Sequence, residues 1–134
     1  FNDLGGLFDL GILGSGDRHF MESLIGEATR SIPKPLHGTP YHKQLLIYQD
    51  RAEKYIKRNI GYMSGTINHL YHGKKQDRGY QTRWKILTKN KYNPDLDLKK
   101  DSQGLWQLTD NNYKLRDDIH NYFLSRNEDS VDIY

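Results

Sequence analysis

A glycine-rich turn opens the first strongly patterned segment of the chain, in the order Gly14-Ser15-Gly16-Asp17-Arg18-His19. Asp is a preferred N-cap residue, and behind it apolar side chains recur at helical spacing as far as Ala28. The sequence therefore predicts a helix over 18–28 that begins at Asp17. A helix N-terminus favours a charged carboxylate, so Asp17 suits either capping or the role of a permanently ionised base. His19 lies one turn in, where it could hydrogen-bond outward.

The rest of the sequence predicts three more helices and two short strands. The helices are expected at 41–59, 79–90 and 112–126, from apolar side chains at helical spacing. The strands are expected at about 66–71 and 104–108. Three prolines at 33–40 predict an ordered loop, and 92–95 a turn. The fold class is thus helix-rich α/β.

Composition limits the domain count and the chemistry. At 134 residues the chain fits one modest domain, and we expect residues 1–126 to form a single domain or a fragment of a larger one, followed by an acidic tail at 127–134. The chain begins at Phe1, inside patterned sequence, which suggests a fragment. With no cysteine there is no disulfide and no thiolate metal site. Apolar runs fall far short of the roughly 18–20 residues of a membrane-spanning helix, so we expect a soluble protein. The lack of cysteine excludes neither a secreted nor a cytosolic origin, and we expect a cytoplasmic one.

The net charge of +3 conceals a strong partition along the chain. Residues 1–50 carry 4 basic and 6 acidic side chains, a balance of −2, and residues 101–134 carry 3 and 7, a balance of −4. The middle segment, 51–100, carries 13 basic and 4 acidic side chains, a balance of +9. Such a segment indicates a polyanionic partner, either nucleic acid or the phosphates of a nucleotide, unless it is simply a solvated lysine-rich face.

The basic segment contains a second group of candidate residues, His69 to Arg78. His69 and His72 lie three apart on the expected strand, so they point to opposite faces and do not chelate one metal together unless the chain turns. His72, at the strand end before a glycine, is the better candidate ligand, although a lone histidine is more often a hydrogen-bonded packing residue. The cations that follow it suit phosphate binding, or form a solvated basic loop: Lys74, Lys75, Arg78 and Arg83.

The order of these motifs along the chain resembles the order found in the C-terminal half of nucleotide-sugar-dependent glycosyltransferases of the GT-A fold. The resemblance rests on 5–9 (Gly-Gly-Leu-Phe-Asp), on 14–17 opening a helix, and on 60–62 and 67–73 after the next helix. In that family the first stretch lies on the acceptor side, the second supplies a catalytic base or acceptor-binding carboxylate, and a later His completes the metal site. The resemblance therefore implies that the chain forms part of a GT-A, Rossmann-like fold. It also implies that the chain belongs to an enzyme that transfers a sugar to an acceptor.

Carried over by position, the resemblance gives three roles. Asp17 is the base or acceptor-hydroxyl ligand, and His72 is a ligand of Mn²⁺ or Mg²⁺. The diphosphate of the nucleotide-sugar donor is contacted by Lys74, Lys75 and Arg78.

The sequence also departs from the family pattern. Gly16 stands where the family often has Glu, and the family's Asp-x-Asp motif, which belongs upstream, is absent. The same letters at 95–97 follow His72 and are interpreted as a solvated loop. The missing N-terminal half is therefore an expected partner, and the isolated chain is expected to be inactive.

Two other interpretations belong to different classes. The basic segment suits a non-catalytic nucleic-acid-binding or interaction module, in which aromatic side chains interleaved with cations would stack on bases. Those aromatic residues are Tyr71, Tyr80, Trp84 and Tyr92. The remaining interpretation is a structural helical domain that binds no ligand.

Overall fold

The computed structural model describes residues 1–68 and 74–127. Helical turns of all kinds take up 54% of these residues, which confirms a helix-rich chain. The regular elements are α1 (Gly16–Leu24), α2 (Pro40–Ile56), α3 (Trp84–Lys89), α4 (Pro94–Asp97), β1 (Leu98–Lys100), β2 (Trp106–Leu108) and α5 (Tyr113–Ser125). Short 3-10 helices lie at Asn2–Leu4, Ala28–Ser31, Lys34–Leu36, Lys75–Arg78 and Asp110–Asn112. Across these residues no helix is long and apolar enough to cross a membrane.

Helix α2 is the central element and follows its prediction closely. Thr39 caps its N-terminus, accepting a hydrogen bond from the His42 N–H, and Pro40 occupies the first helical position, where no N–H partner is needed. One face is buried along the whole helix, through Tyr41, Leu45, Tyr48 and Ala52. Helix α1, the first two 3-10 helices and α4 pack around α2, so this helix carries the core.

Helix α1 differs from its prediction at both ends. Its N-cap is Ser15, in a left-handed conformation at φ 72°, and Asp17 lies inside the first turn. The prediction that Asp17 caps the helix is therefore wrong, although its charge still lies at the favourable end of the dipole. The helix ends at Leu24, because Gly26 adopts a φ of +80° and a 3-10 helix follows. The buried face is formed by His19 and Ser23.

The two C-terminal helices were predicted with unequal accuracy. Helix α5 begins after Asn112, whose side chain accepts a hydrogen bond from the Leu115 N–H at 3.2 Å, and it buries Leu115, Ile119 and Tyr122. Helix α3 is only six residues long. The residues expected to begin it, 79–83, are not helical: 80–83 form a turn that follows Gly79, whose φ is +53°. A 3-10 helix at 75–78 precedes this turn.

The sheet is a single hairpin in the part of the chain that the structure describes. Strands β1 and β2 are antiparallel, with Leu98 opposite Leu108 and Lys100 opposite Trp106. The strand expected at 104–108 is thus confirmed over its last three residues, and β1 was not predicted. Of the strand expected at 66–71, residues 66–68 are not in a strand and 69–71 lie outside the described residues. The described residues therefore show no parallel, Rossmann-like sheet.

Tyrosine hydroxyls fasten the irregular segments to the core. Tyr48 donates a hydrogen bond to the Gly6 carbonyl at 2.8 Å, and Tyr92 donates to the Leu10 carbonyl at 2.9 Å. Both rings are buried. The N-terminal loop thus follows a defined path without regular backbone pairing.

Candidate functional site

A buried arginine joins the basic segment to the glycine-rich turn. Arg83, only 9% exposed, donates a hydrogen bond from Nη2 to the Ser15 hydroxyl. Gly14 makes this approach possible: its φ is +96°, and a Cβ there would lie 3.0 Å from Arg83 Nη1. The two groups of candidate residues, 68 positions apart in sequence, therefore meet at one contact.

Aromatic rings hold the Arg83 guanidinium in place. Its carbon lies 5.1 Å from the centroid of the Tyr80 ring and 5.5 Å from that of Trp84. Stacking on aromatic faces suits the planar guanidinium and lowers the cost of removing its charge from water. Arg83 thus has a positioning role at the base of the turn.

His19 is a structural residue, with both ring nitrogens engaged inside the protein. Its Nδ1 lies 2.6 Å from the Ser31 hydroxyl and its Nε2 lies 2.7 Å from the Tyr41 hydroxyl. Ser31 donates its own proton to the Ala28 carbonyl, so Nδ1–H donates to Ser31 and Nε2 accepts from Tyr41. Burial, reinforced by the positive charges of Arg18 and Arg83, lowers the pKa of His19 to about 4. The prediction of an outward hydrogen bond is wrong.

Asp17 is solvent-exposed at the mouth of an apolar pocket. No hydrogen bond or ion pair with another residue of 1–68 or 74–127 engages its carboxylate, which leaves both oxygens open to a ligand. The pocket has a volume of about 460 Å³ and is lined by Asp17, Arg18, Met21, Glu22, Leu24, Ile25, Arg30 and Ile60. An accessible carboxylate at a helix N-terminus is able to accept a proton or a hydroxyl hydrogen bond.

The predicted diphosphate residues lie on the 3-10 helix and just before it. Lys75 is exposed, and Arg78 is half-buried and donates from Nη1 to the Tyr80 hydroxyl at 2.7 Å. Lys74 forms the N-cap of this helix. Lys75 and Asp17 line different pockets, which have no lining residue in common. The structure therefore does not bring Asp17 and Lys75 into one cavity.

The predicted metal ligand, His72, lies outside the described residues. Within 1–68 and 74–127 no group of three or more His, Asp or Glu side chains is arranged to hold a metal ion. The interpretation of 95–97 as a solvated loop is corrected. These residues belong to α4, and Asp97 is buried, with its carboxylate accepting from the Asn93 N–H at 2.8 Å.

The aromatic residues proposed for base stacking have unequal exposure. Tyr92 is buried in the core, and Trp84 is half-buried against it. Tyr80 is 40% exposed, and Tyr71 lies outside the described residues. Tyr92 is therefore wrong as a stacking residue, whereas Tyr80 has an exposed ring next to the cations Arg78 and Arg83.

Sequence reasoning missed a polar cleft between the N-terminal loop, α2 and the hairpin. Its volume is about 450 Å³ and its walls include Asp9, Gln44, Arg51, Lys100 and Trp106. Trp106 donates from its indole N–H to Asp9 at 2.7 Å, so the hairpin is fixed to the loop that precedes α1. The one available signal was the Gly-Gly-Leu-Phe-Asp stretch at 5–9, which supplies one wall.

Comparison with protein-family models, with curated proteins and with solved structures finds no match for this chain. The site must therefore be judged on its own geometry.

Proposed function

We propose that the chain is the acceptor-side, C-terminal part of a nucleotide-sugar-dependent glycosyltransferase. In the proposed reaction an acceptor hydroxyl attacks the anomeric carbon of the donor sugar. The bond from that carbon to the diphosphate oxygen breaks, and its electron pair leaves with the nucleoside diphosphate. The chain must then receive one proton from the acceptor and stabilise negative charge on the leaving group.

The contact of Arg83 with Ser15 carries the proposal. It holds Arg83, in the basic segment, against the turn that precedes Asp17, and this supports a shared substrate for the proposed proton acceptor and the proposed cations. A transferase needs these two functions at opposite ends of the reacting bonds. Their separation into different pockets would require an extended substrate that reaches both.

Asp17 is the proposed proton acceptor for an inverting reaction. Its carboxylate is exposed and lies in the first turn of α1, where it is open to an acceptor hydroxyl. The apolar wall formed by Met21, Ile25 and Ile60 would bind the apolar face of the acceptor. Arg18 and Arg30 at the rim would hydrogen-bond its hydroxyls.

Lys74, Lys75 and Arg78 are the proposed contacts of the diphosphate. Arg78 keeps one guanidinium nitrogen on Tyr80 and has others for phosphate oxygens, while Lys75 projects as an exposed point charge. His72 is proposed as one ligand of Mn²⁺ or Mg²⁺, which would neutralise charge on the leaving group. Since the described residues contain no group of three metal ligands, the other ligands must come from elsewhere.

The experiment is thermal denaturation of the full chain with Mn²⁺, with uridine, guanosine, adenosine or cytidine diphosphate, and with each nucleotide and Mn²⁺ together. We expect one nucleotide to stabilise the chain only when Mn²⁺ is present. A ligand at ten times its Kd adds about 1.4 kcal/mol, which raises Tm by roughly 5 °C for a domain of this size.

Two pairs of variants, each a site residue and a matched control of the same residue type, show where the nucleotide binds. His72→Ala and Lys75→Ala are expected to reduce the stabilisation, whereas His120→Ala and Lys99→Ala, at exposed positions on α5 and β1, leave it unchanged. Equal effects within each pair would contradict the proposal. Tight binding of a single-stranded oligonucleotide with a steep salt dependence, and no response to nucleotide, would instead establish the nucleic-acid-binding module.

A further inference from the structure

Residues 61–68, which follow α2, are exposed, carry large apolar side chains and have no backbone partner among the described residues. Tyr62, Met63 and Ile67 have exposed fractions of 91%, 95% and 92%. Within the described ranges, no backbone N–H or C=O of residues 61–68 makes a hydrogen bond. Large apolar side chains and free backbone groups are together the properties of a sheet strand that lacks its neighbour.

The sequence of this segment lacks the usual protection of a free edge strand. Natural edge strands carry Lys, other charges or Pro, which prevent pairing with other chains. Residues 59–73 contain no Asp, Glu, Lys, Arg or Pro, although 28% of the whole chain is charged. A stretch of this composition in such a polar chain is expected to be covered in the working assembly.

We propose that residues 61–68 bind the open edge of a β-sheet in another polypeptide, as an added strand. β-Branched and aromatic residues such as Thr66, Ile67 and Tyr62 favour a strand, and the described residues supply no strand to pair with it. Main-chain hydrogen bonds would provide the affinity of this added strand, and its alternating side chains the specificity. This inference does not depend on the proposed function.

The charges beside the segment determine the kind of partner. Lys57 and Arg58 precede it, with Arg58 paired to Glu53 at 2.8 Å, and Lys74 and Lys75 follow it. The charge of each flank stays positive, since 53–58 carries three cations and one carboxylate and 74–78 the same. If two copies of the chain paired through this segment, parallel or antiparallel, cations would face cations at both ends. A sheet edge flanked by acidic residues is complementary, so the partner is a different polypeptide with an acid-flanked edge.

The apolar pocket next to α1 extends the same surface. Ile60 lines that pocket with Met21 and Ile25, which are 66% and 43% exposed. Ile60 directly precedes 61–68, so a strand added to 61–68 would end beside this pocket and leave it open to the proposed acceptor.

The test uses a synthetic strand peptide, Glu-Glu-Thr-Val-Thr-Val-Thr-Val-Glu-Glu, added to the full chain at millimolar concentration. Hydrogen exchange is followed at the amides of 61–68, and the state of association is measured by sedimentation. We expect exchange to slow at least about tenfold at alternate amides of this segment, with the chain monomeric before peptide is added. A peptide with Pro in place of the central Val, and one with Lys in place of every Glu, should give little or no protection.

A pair of double variants separates backbone pairing from side-chain contact. Thr66→Pro with Ile67→Pro removes two adjacent N–H groups, one of which must face the partner, and should weaken peptide binding at least about tenfold. Thr66→Ala with Ile67→Ala keeps both N–H groups and should weaken binding less. Neither variant should change Tm, because these residues make no hydrogen bonds here. Unchanged exchange at 61–68, equal protection by the Pro or Lys peptide, or a dimer of the chain alone would each overturn the inference.

Discussion

The buried histidine of α1 should make the stability of the fold depend on pH in a defined window. The pKa of His19 is about 4 in the folded protein and 6.5 as its ordinary value. The unfolded chain therefore binds more protons than the folded chain between these values. The stability due to neutral His19 is present above pH 6.5 and is lost as the pH falls towards 4.

The size of the effect follows from the two pKa values. Between pH 7 and pH 5 the difference in protonation lowers the free energy of unfolding by about 2 kcal/mol, which corresponds to a fall in Tm of roughly 7 °C for a domain of this size. The pKa of His42 is also lowered, by partial burial and by the charge of His37. Its contribution has the same sign and needs its own control.

The assay is urea denaturation at pH 7, 6 and 5 for the native chain, His19→Gln and His42→Gln. His19→Gln should be less stable at pH 7, because the bonds to Ser31 and Tyr41 are disturbed, but should lose little more at pH 5. His42→Gln should keep most of the native pH dependence. NMR of the imidazole nitrogens should show His19 neutral at pH 5, with the proton on Nδ1. Equal losses in all three proteins, or a protonated His19 at pH 5, would refute the assignment.

Two further variants test the turn and the last helix. Gly14→Ala should lower the free energy of unfolding by about 1–2 kcal/mol because of the positive φ, and further because the new Cβ would contact Arg83. The control is Gly104→Ala, at a φ of +81° with open space around it, which should show only the loss due to φ. Urea denaturation of the two variants should therefore differ. Asn112→Ala removes the α5 cap and should lower the free energy of unfolding by about 1 kcal/mol, and a loss below a few tenths would contradict the role of the cap.

Local signals in the sequence predict the long helices well. Helix α2 has a Thr cap, a Pro at its first position and a continuous apolar face, so propensity, capping and burial agree over 17 residues. Helix α5 likewise has a capping side chain, that of Asn112, and a continuous apolar face. Strand β1 carries two lysines in three residues and has no such signal, because it forms only through pairing with β2.

Contacts of the candidate site between residues far apart in sequence could not be predicted from local sequence patterns. Arg83 and Ser15 are far apart in sequence, and only the packing of α3 against the N-terminal loop brings them together. The sequence indicated only that His19 could hydrogen-bond outward, whereas Ser31 and Tyr41, 12 and 22 positions away, are its partners in the core. Asp97 was also expected in a loop, but here the contact is local, because its carboxylate accepts from the N–H of Asn93, the N-cap of α4, four residues before it.

The buried tyrosines of the core affect whether composition alone predicts this chain to be folded or disordered. A mean hydropathy of −0.90 with 35% hydrophobic residues would place this chain near the boundary of intrinsically disordered proteins. Hydropathy scales score tyrosine as nearly polar, yet Tyr41, Tyr48 and Tyr92 are fully buried, and each satisfies its hydroxyl within the protein. A disorder predictor that weighted tyrosine by the area of its ring would classify this chain as folded.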